Sequence, residues 1–368
     1  MENCYLFDII SSLATNNFGI ESFTFNQRFS TPVPAPDNMK NSVLLALVCA
    51  ASFPVAASGF EPGADFAVPH RLVDIGGRKL NLTCTGKGAP TVVFEAPSGS
   101  SSWTWWAVQP KVAAQTRACV YDRAGFGFSE PATHAADIAS AVDDLHKLLQ
   151  AAGERAPYVL VGNSLGGGIA EAYRWRYPLD VNGLVLVEPM HEEDTIRADA
   201  ASQGKMSAAD AQIIAFGDAC GAQAEKGFAS GSELYENCIG GLDPGLPKAV
   251  AAVDLKLRLS PAYWRVHNAE AHAFAEDRTQ LRAARRPLGE TPVIVLARGV
   301  SPYAVPGQPQ SELNKAVEAA NLELQKEVAR SSTHGAVEVV AGAGHVIEET
   351  HPDAVVAAVE KMLATVRK

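Results

Sequence analysis

The stretch YVLVGNSLG, residues 158–166, decides the fold. Its first four residues form an apolar run typical of a buried parallel strand, and the residues after it, 167–177, have helical spacing. Ser164 is therefore predicted to lie on a sharp turn from a strand into a helix. Such a turn needs small residues two positions before and two after the serine, because larger side chains would clash with neighbouring backbone. Gly162 and Gly166 meet that need.

Strands and helices alternate on both sides of this turn. A hairpin is predicted first, with strands at 71–75 and 79–85 around Gly76-Gly77. Helical spacing follows at several places, for example over 138–149 and 355–366. Fully buried parallel strands are predicted at 91–94, 118–121, 158–161, 184–187, 293–296 and 337–340. The pattern predicts an α/β fold, with a mostly parallel eight-stranded sheet and helices on both faces.

One long segment interrupts the alternation after the sixth strand. Residues 190–287 are rich in alanine and predicted to be helical, and no low-complexity linker separates them from the rest of the chain. We expect them to form a helical cap that packs directly above the strand ends. The predicted core then consists of residues 68–189 and 288–368.

The charge distribution argues against a nucleic-acid partner. The chain has 368 residues and a net charge of −10, without a run of Lys or Arg that could follow a phosphate backbone. Its hydrophobic content of 47% is sufficient for a large core. We expect a small-molecule substrate and a monomer or small homo-oligomer.

The N-terminal region has the features of a secretion signal. Lys40, the apolar run 43–50 and the small residues 55–57 predict a signal peptide over 39–57, which makes residues 1–38 an extension outside the fold. The apolar run is shorter than the ~20 residues that a membrane span requires. Lipid attachment at Cys49 is a minor alternative, because Val48 before it is bulky. A secreted or periplasmic location is expected.

Four cysteines remain after the signal, namely Cys84, Cys119, Cys220 and Cys238. An even number in an oxidising compartment favours disulfides over metal ligation, and the alternative is four separate buried thiols. No His or carboxylate pair has the spacing of a known metal site. Neither a metal nor another cofactor is expected.

A serine needs a base to act as a nucleophile at neutral pH, and a carboxylate must hold that base in the right tautomer. His345 is the candidate base, because it lies in a glycine-containing loop after the last predicted strand. The alternative is that His345 caps the helix that starts near Pro352. His351 lies against that proline and is not favoured.

The candidate acid is Glu188, which directly follows the strand 184–187 and precedes Pro189. A carboxylate at that strand end can point into the crevice where such sheets bind ligands. Asp194 is the reserve candidate. The alternative is that Glu188 caps the first helix of the predicted cap.

These features resemble the α/β-hydrolase superfamily, in particular its capped bacterial members, from about residue 68 to the C-terminus. The stretch YDRAGFGFS, residues 121–129, is similar to the family's turn after the fourth strand. The stretch GLVLVEP, residues 183–189, is similar to the sixth strand of haloalkane dehalogenases, which keep the acid there but use an Asp nucleophile.

Ser164 at the nucleophile position implies acyl transfer to water, so the resemblance implies a serine hydrolase of carboxylic esters. A lactone, an amide or a C–C bond is an alternative substrate for the same three residues. A binding protein that has lost turnover is an alternative of another class.

The loop after the third strand departs from the family pattern. EAPSG, residues 95–99, replaces the usual His-Gly-x turn, whose last residue donates an N–H to the oxyanion. Pro97 has no N–H to donate. We therefore expect the oxyanion donors to be the N–H groups of Leu165 and Ser98.

The family's strand order also has implications outside the catalytic centre. Placing strand four beside strand two implies a disulfide between Cys84 and Cys119, and Cys220 would then pair with Cys238 within the cap. Trp103 and Trp105 are candidates for an acyl pocket, together with Trp106 in the same stretch. The alternative is that at least two of these tryptophans are core residues.

Overall fold

The computed structural model describes residues 62–305 and 307–368. The predicted extension 1–38, the signal 39–57 and Cys49 lie outside the described residues. Every helix in the described part of the chain is too short or too polar to cross a lipid bilayer.

An eight-stranded sheet forms the centre of the molecule, as the sequence predicts. Its strand order is β1-β2-β4-β3-β5-β6-β7-β8; β2 is antiparallel to both β1 and β4, and the other neighbouring pairs are parallel. The strands are β1 (Arg71–Asp74), β2 (Lys79–Thr85), β3 (Thr91–Glu95), β4 (Ala118–Tyr121), β5 (Tyr158–Asn163), β6 (Val181–Val187), β7 (Val293–Arg298) and β8 (Gly335–Val340).

The buried strands are apolar on both faces because helices cover both faces. Along β5, Tyr158 and Leu160 point into one apolar core, whereas Val159 and Val161 point into the other. One prediction was wrong: β8 is not fully buried, since none of its residues is buried. The reason is its place at the edge of the sheet, where only one neighbouring strand covers it.

Eleven α-helices occur in the described residues. They are α1 (Gln109–Ala113), α2 (Ile138–Ala152), α3 (Leu165–Arg176), α4 (Asp194–Ser202), α5 (Lys205–Ala224), α6 (Glu233–Cys238), α7 (Lys248–Arg258), α8 (Pro261–Ala284), α9 (Glu312–Arg330), α10 (Ile347–Thr350) and α11 (Pro352–Val366). Helices α2 and α3 pack on one face of the sheet, and α1 and α11 pack on the other.

Five of these helices, α4 to α8, lie between β6 and β7, and we call residues 194–284 the insertion. The insertion has a small apolar core of its own, formed by Ala224, Ile239 and Trp264 around the Cys220–Cys238 disulfide. The other disulfide joins Cys84 of β2 to Cys119 of β4, which face each other in the antiparallel register. Both pairings are those that the family resemblance implies, and the alternative of four free thiols is wrong.

Candidate active site

Ser164 lies on the sharp turn between β5 and α3, with φ 54° and ψ −119°. A Cβ on Gly162 would lie 2.2 Å from the Gly166 carbonyl oxygen, and a Cβ on Gly166 would lie 2.4 Å from the Glu95 carbonyl oxygen. Both distances are impossible for a real side chain. The two glycines are therefore required by close backbone approach, as the sequence predicts.

Two non-glycine residues at this edge of the sheet have a positive φ, Ser164 and Glu188, with φ 54° and 45°. Such conformations persist when surrounding contacts enforce them. The Ser164 N–H donates to the Val187 carbonyl (3.0 Å), and the Glu188 N–H donates to the Leu296 carbonyl (2.8 Å). Each strained residue is thus held by the neighbouring strand, with its side chain beyond the strand end.

His345 lies in the loop between β8 and α10, and its Nδ1 is 3.5 Å from Oε2 of Glu188. The loop is tied to β5, because the Asn163 side-chain amide donates to the carbonyls of His345 (3.1 Å) and Val187 (3.0 Å). Ser164, Glu188 and His345 line the same cavity, whose volume is about 460 Å³. The structure therefore brings the three candidate catalytic residues together.

Glu188 is held ionised by an arginine. Its side chain is fully buried, and Nη1 of Arg298 lies 2.6 Å from its Oε2, while the Arg298 N–H donates to Oε1 (2.8 Å). Burial alone raises the pKa of Glu188, but the charge of Arg298 and the hydrogen bond with His345 outweigh it and lower that pKa to about 2. The carboxylate therefore stays charged throughout the pH range in which a histidine titrates.

Sequence reasoning missed Arg298, which ends β7. A buried carboxylate at one strand end calls for a cation nearby, and an arginine at the end of the next strand is the signal that could have indicated the pair. Arg298 also forms an ion pair with Glu318 of α9 (2.7 Å). The reserve candidate Asp194, at the start of α4, is paired with Arg278 (2.5 Å).

The predicted oxyanion donors, Leu165 and Ser98, both line the cavity. Leu165 is the first residue of α3, so its N–H has no acceptor within the helix. Ser98 lies in the loop 95–99 that follows β3. Its hydroxyl donates to Oε2 of Glu270 (3.0 Å), and the N–H of Gly99 donates to the same oxygen (2.9 Å).

A buried charge network below this loop was not found from the sequence. Arg123 donates from Nε and Nη2 to Glu270 (2.7 and 3.1 Å) and from Nη1 to Glu95 (2.9 Å). Tyr121 donates a hydrogen bond to Glu95 as well. Burial raises the pKa of Glu95, and the charge of Arg123 opposes that rise. The signal available in the sequence was Arg123 itself, a charged residue at the second position after a buried strand.

The structure separates the tryptophans. Trp103 lines the cavity and packs edge-on against Phe128, with ring centroids 6.3 Å apart. Trp105 is fully buried in the core beside Phe94, with centroids 5.1 Å apart, and is absent from the described cavity lining. The ring of Trp105 therefore lies in the apolar core and not at the cavity, unlike the predicted substrate contact.

Much of the rest of the cavity wall comes from the insertion and is largely apolar. The apolar residues of the insertion that line the cavity include Met206, Ile213, Phe216, Trp264 and Phe274. Among the described residues, one group of possible metal ligands has its atoms close together, Cys84, Cys119 and Glu154. Its two cysteines form a disulfide and so offer no thiolate.

Comparisons with known proteins agree with this architecture. The model of the alpha/beta hydrolase family matches residues 92–358. A 2-hydroxy-6-oxo-2,4-heptadienoate hydrolase of Pseudomonas putida is 35% identical over 120 residues, which are 32% of this chain and 43% of that protein. Two relatives from Bacillus subtilis are likewise matched over only 37% and 41% of their length, so the chain spans less than half of these curated relatives.

Solved structures share the fold across most of the chain. An esterase from Thermogutta terrifontis has a TM-score of 0.53 and 20% identity, over 82% of this chain and all (100%) of that one. A serine hydrolase involved in carbazole degradation has a TM-score of 0.54 and 16% identity, over 80% of this chain and 98% of that one. The family match covers most of the sequence, including Ser164, Glu188 and His345, and the chain therefore belongs to the alpha/beta hydrolase family.

Proposed function

We propose that the protein is a serine hydrolase that cleaves carboxylic esters through an acyl-enzyme on Ser164. The observation that carries the proposal is the convergence of Ser164, His345 and Glu188 on one cavity, with Nδ1 of His345 facing the Glu188 carboxylate at 3.5 Å. An imidazole held at Nδ1 by a charged carboxylate offers Nε2 as the base.

In the proposed first step, Oγ of Ser164 attacks the ester carbonyl carbon, and its proton passes to Nε2 of His345. The carbonyl electron pair moves to oxygen, where the N–H groups of Leu165 and Ser98 hold the oxyanion. The intermediate collapses, the C–O bond to the alcohol breaks, and His345 returns the proton to the leaving alcohol. Water repeats these steps on the acyl-enzyme and releases the acid.

We propose that the insertion acts as a cap and that it limits the substrate to esters of modest size. The support is that residues of α4, α5, α7 and α8 line the same cavity as Ser164, within a volume of about 460 Å³. If the insertion acts as a cap, the chain divides into the predicted core, 68–189 and 288–368, and the predicted cap, 190–287. We also propose that the protein is exported, because its two disulfides form and persist in an oxidising compartment.

Covalent labelling tests the proposal directly. A fluorophosphonate probe should label the wild-type protein once, on Ser164, and the Ser164→Ala variant should not react. The wild type should also hydrolyse p-nitrophenyl esters, with a preference for one range of acyl lengths. A wild type that neither labels nor turns over esters would favour a binding protein on the same fold.

Cleavage of a C–C bond in a 2-hydroxy-6-oxo-dienoate is a second candidate, because the relative from Pseudomonas putida is a 2-hydroxy-6-oxo-2,4-heptadienoate hydrolase. The same three residues would serve it. Assaying 2-hydroxy-6-oxo-2,4-heptadienoate beside the p-nitrophenyl esters separates the candidates, since the higher kcat/KM identifies the substrate class. Lactones and amides belong in the same panel.

A further inference from the structure

Glu270 is a buried carboxylate of the insertion that faces the loop 95–99 of the core. It lies on α8 and is 4% exposed. Four hydrogen bonds reach its carboxylate, from the Ser98 hydroxyl, from the Gly99 N–H and from Nε and Nη2 of Arg123. Two of these donors belong to the loop that is expected to supply an oxyanion donor.

Arg123 binds the same loop from the other side. Its Nη1 donates to the Ala96 carbonyl (2.6 Å), and its Nη2 donates to the Pro97 carbonyl (2.8 Å). Glu270 therefore fixes the guanidinium, and the guanidinium fixes two consecutive carbonyls. The loop is held between a charge of the core and a charge of the insertion.

The contact to Pro97 has a geometric consequence for Ser98. The Pro97 carbonyl and the Ser98 N–H belong to one planar peptide group, which is trans, since the cis bonds in the described chain are at Pro90 and Pro157. The N–H therefore points opposite to the carbonyl, away from Arg123. Holding the carbonyl on the guanidinium fixes the direction of the donor.

The two backbone N–H groups that follow Ser98 are already engaged. The Gly99 N–H donates to Glu270 (2.9 Å), and the Ser100 N–H donates to the Pro97 carbonyl (3.3 Å). Pro97 has no N–H. Between Pro97 and Ser100, these contacts leave the Ser98 N–H as the backbone donor for a ligand.

Helix α8 also sets the position of the loop by direct packing. Gly99 has φ 75°, and a Cβ built on it would lie 2.9 Å from Cδ2 of His267, one turn before Glu270 on the same helix. The loop and the helix are thus in close contact at two successive turns.

We propose that Glu270 is a positioning residue through which the insertion completes the oxyanion hole. By holding Arg123 and Gly99, it aims the Ser98 N–H at the developing oxyanion. The inference rests on the proposed serine-hydrolase function and adds that the second donor is aligned by the insertion rather than by the core alone.

The test compares Glu270→Gln with wild type and with Glu276→Gln as the matched control. Glu276 lies on the same helix, is exposed and accepts a hydrogen bond from Gln280. Glu270→Gln leaves Arg123 with one buried carboxylate partner, Glu95, so the guanidinium keeps a counter-charge and the variant should fold. Each protein is assayed with a p-nitrophenyl ester for kcat and KM.

We expect Glu270→Gln to lower kcat about 10- to 100-fold with KM within about 3-fold, a smaller loss than complete removal of an oxyanion donor. Affinity for a trifluoromethyl ketone, which forms an oxyanion adduct with the serine, should fall by the same factor. Affinity for the carboxylic acid product should not change. Ser98→Ala removes only the hydroxyl contact and should lower kcat a few-fold at unchanged KM.

The possible failures are distinguishable. If wild type labels with fluorophosphonate and Glu270→Gln matches it in kcat and in ketone affinity, the positioning role is wrong and the hydrolase proposal stands. If Glu270→Gln does not fold, a Ser98→Ala variant with wild-type kcat overturns the role. If wild type neither labels nor turns over esters, both proposals fall together.

Discussion

The guanidinium of Arg298 lies 2.6 Å from Glu188 at the ends of two neighbouring parallel strands, β7 and β6. The arginine thus supplies a counter-charge from the end of the neighbouring strand. A buried carboxylate without a cation would be neutral at pH 7, and a neutral carboxyl is a poor stabiliser of an imidazolium. The pair explains how an acid at the end of β6 can serve His345.

Replacing the acid should abolish most activity. Glu188→Gln removes the charge that stabilises protonated His345, so kcat should fall roughly 10³- to 10⁴-fold with a small change in KM. Asp194→Asn is the matched control, because Asp194 lines the same cavity but is paired with Arg278. Steady-state kinetics on one ester measure both. A larger loss in Asp194→Asn would move the acid to the insertion.

Removing the cation should make activity sensitive to acid. In Arg298→Gln, the charge that most strongly opposes the burial of Glu188 is removed, so the pKa of Glu188 should rise from about 2. The acid limb of kcat/KM should then move to higher pH by about one unit or more. Arg197→Gln, which breaks a surface pair with Glu193, should leave the profile unchanged.

The same pair contributes to stability in a defined pH window. Because the folded-state pKa of Glu188 is depressed, its contribution is present above about pH 4.5 and is lost as pH falls toward about 2. The difference in Tm between wild type and Arg298→Gln should accordingly be larger at pH 7 than at pH 3. Equal differences at both values would contradict a charged Glu188.

Asp277 should make the protein less stable at high pH. It is a buried residue of α8, and burial raises its pKa to about 7, although the Ile138 N–H donates to its Oδ1 (2.8 Å). With a raised folded-state pKa, its favourable contribution is full below about pH 3.8 and is lost as pH rises through about 7.

Asp277→Asn keeps an acceptor for the Ile138 N–H but cannot ionise. The change in Tm that it causes should therefore be more favourable at pH 8 than at pH 4. A gain of roughly 2–4 °C corresponds to about 1 kcal/mol. Thermal unfolding at the two pH values measures it. Asp353→Asn, with a side chain that is 87% exposed, should show no such pH dependence.

The disulfide of the insertion should be important for its stability. It closes a loop with a sequence separation of 18, for which removal of a disulfide costs roughly 3 kcal/mol. The double variant Cys220→Ser with Cys238→Ser should therefore melt at lower temperature and be cleaved faster by proteases within residues 205–260. Peptide mapping without reductant should recover the linked pair from wild type only. Unchanged melting and cleavage would argue that packing alone holds the insertion.

Much of the sheet was predictable because its signals are local. The hairpin signature predicted the first two strands and apolar runs predicted the other six, and the two glycines around Ser164 are required by close backbone approach at the turn. Glu188 could be placed at this edge of the sheet because it directly follows its strand. Arg123 and Glu270 are separated by 147 positions, and no pattern in the sequence indicates that they meet. The exposure of β8 also depends on which strand ends the sheet, which no apolar run encodes.

The double attachment of Arg123 has a consequence for protein engineering. Its two carboxylate partners, Glu95 and Glu270, come from different parts of the chain, one from the sheet and one from the insertion. A chimera that received its helices 194–284 from another hydrolase would keep the guanidinium and lose half of its counter-charge. Exchanging these helices to change substrate specificity would therefore require the new helices to carry a glutamate at the position of Glu270, or a substitute for it.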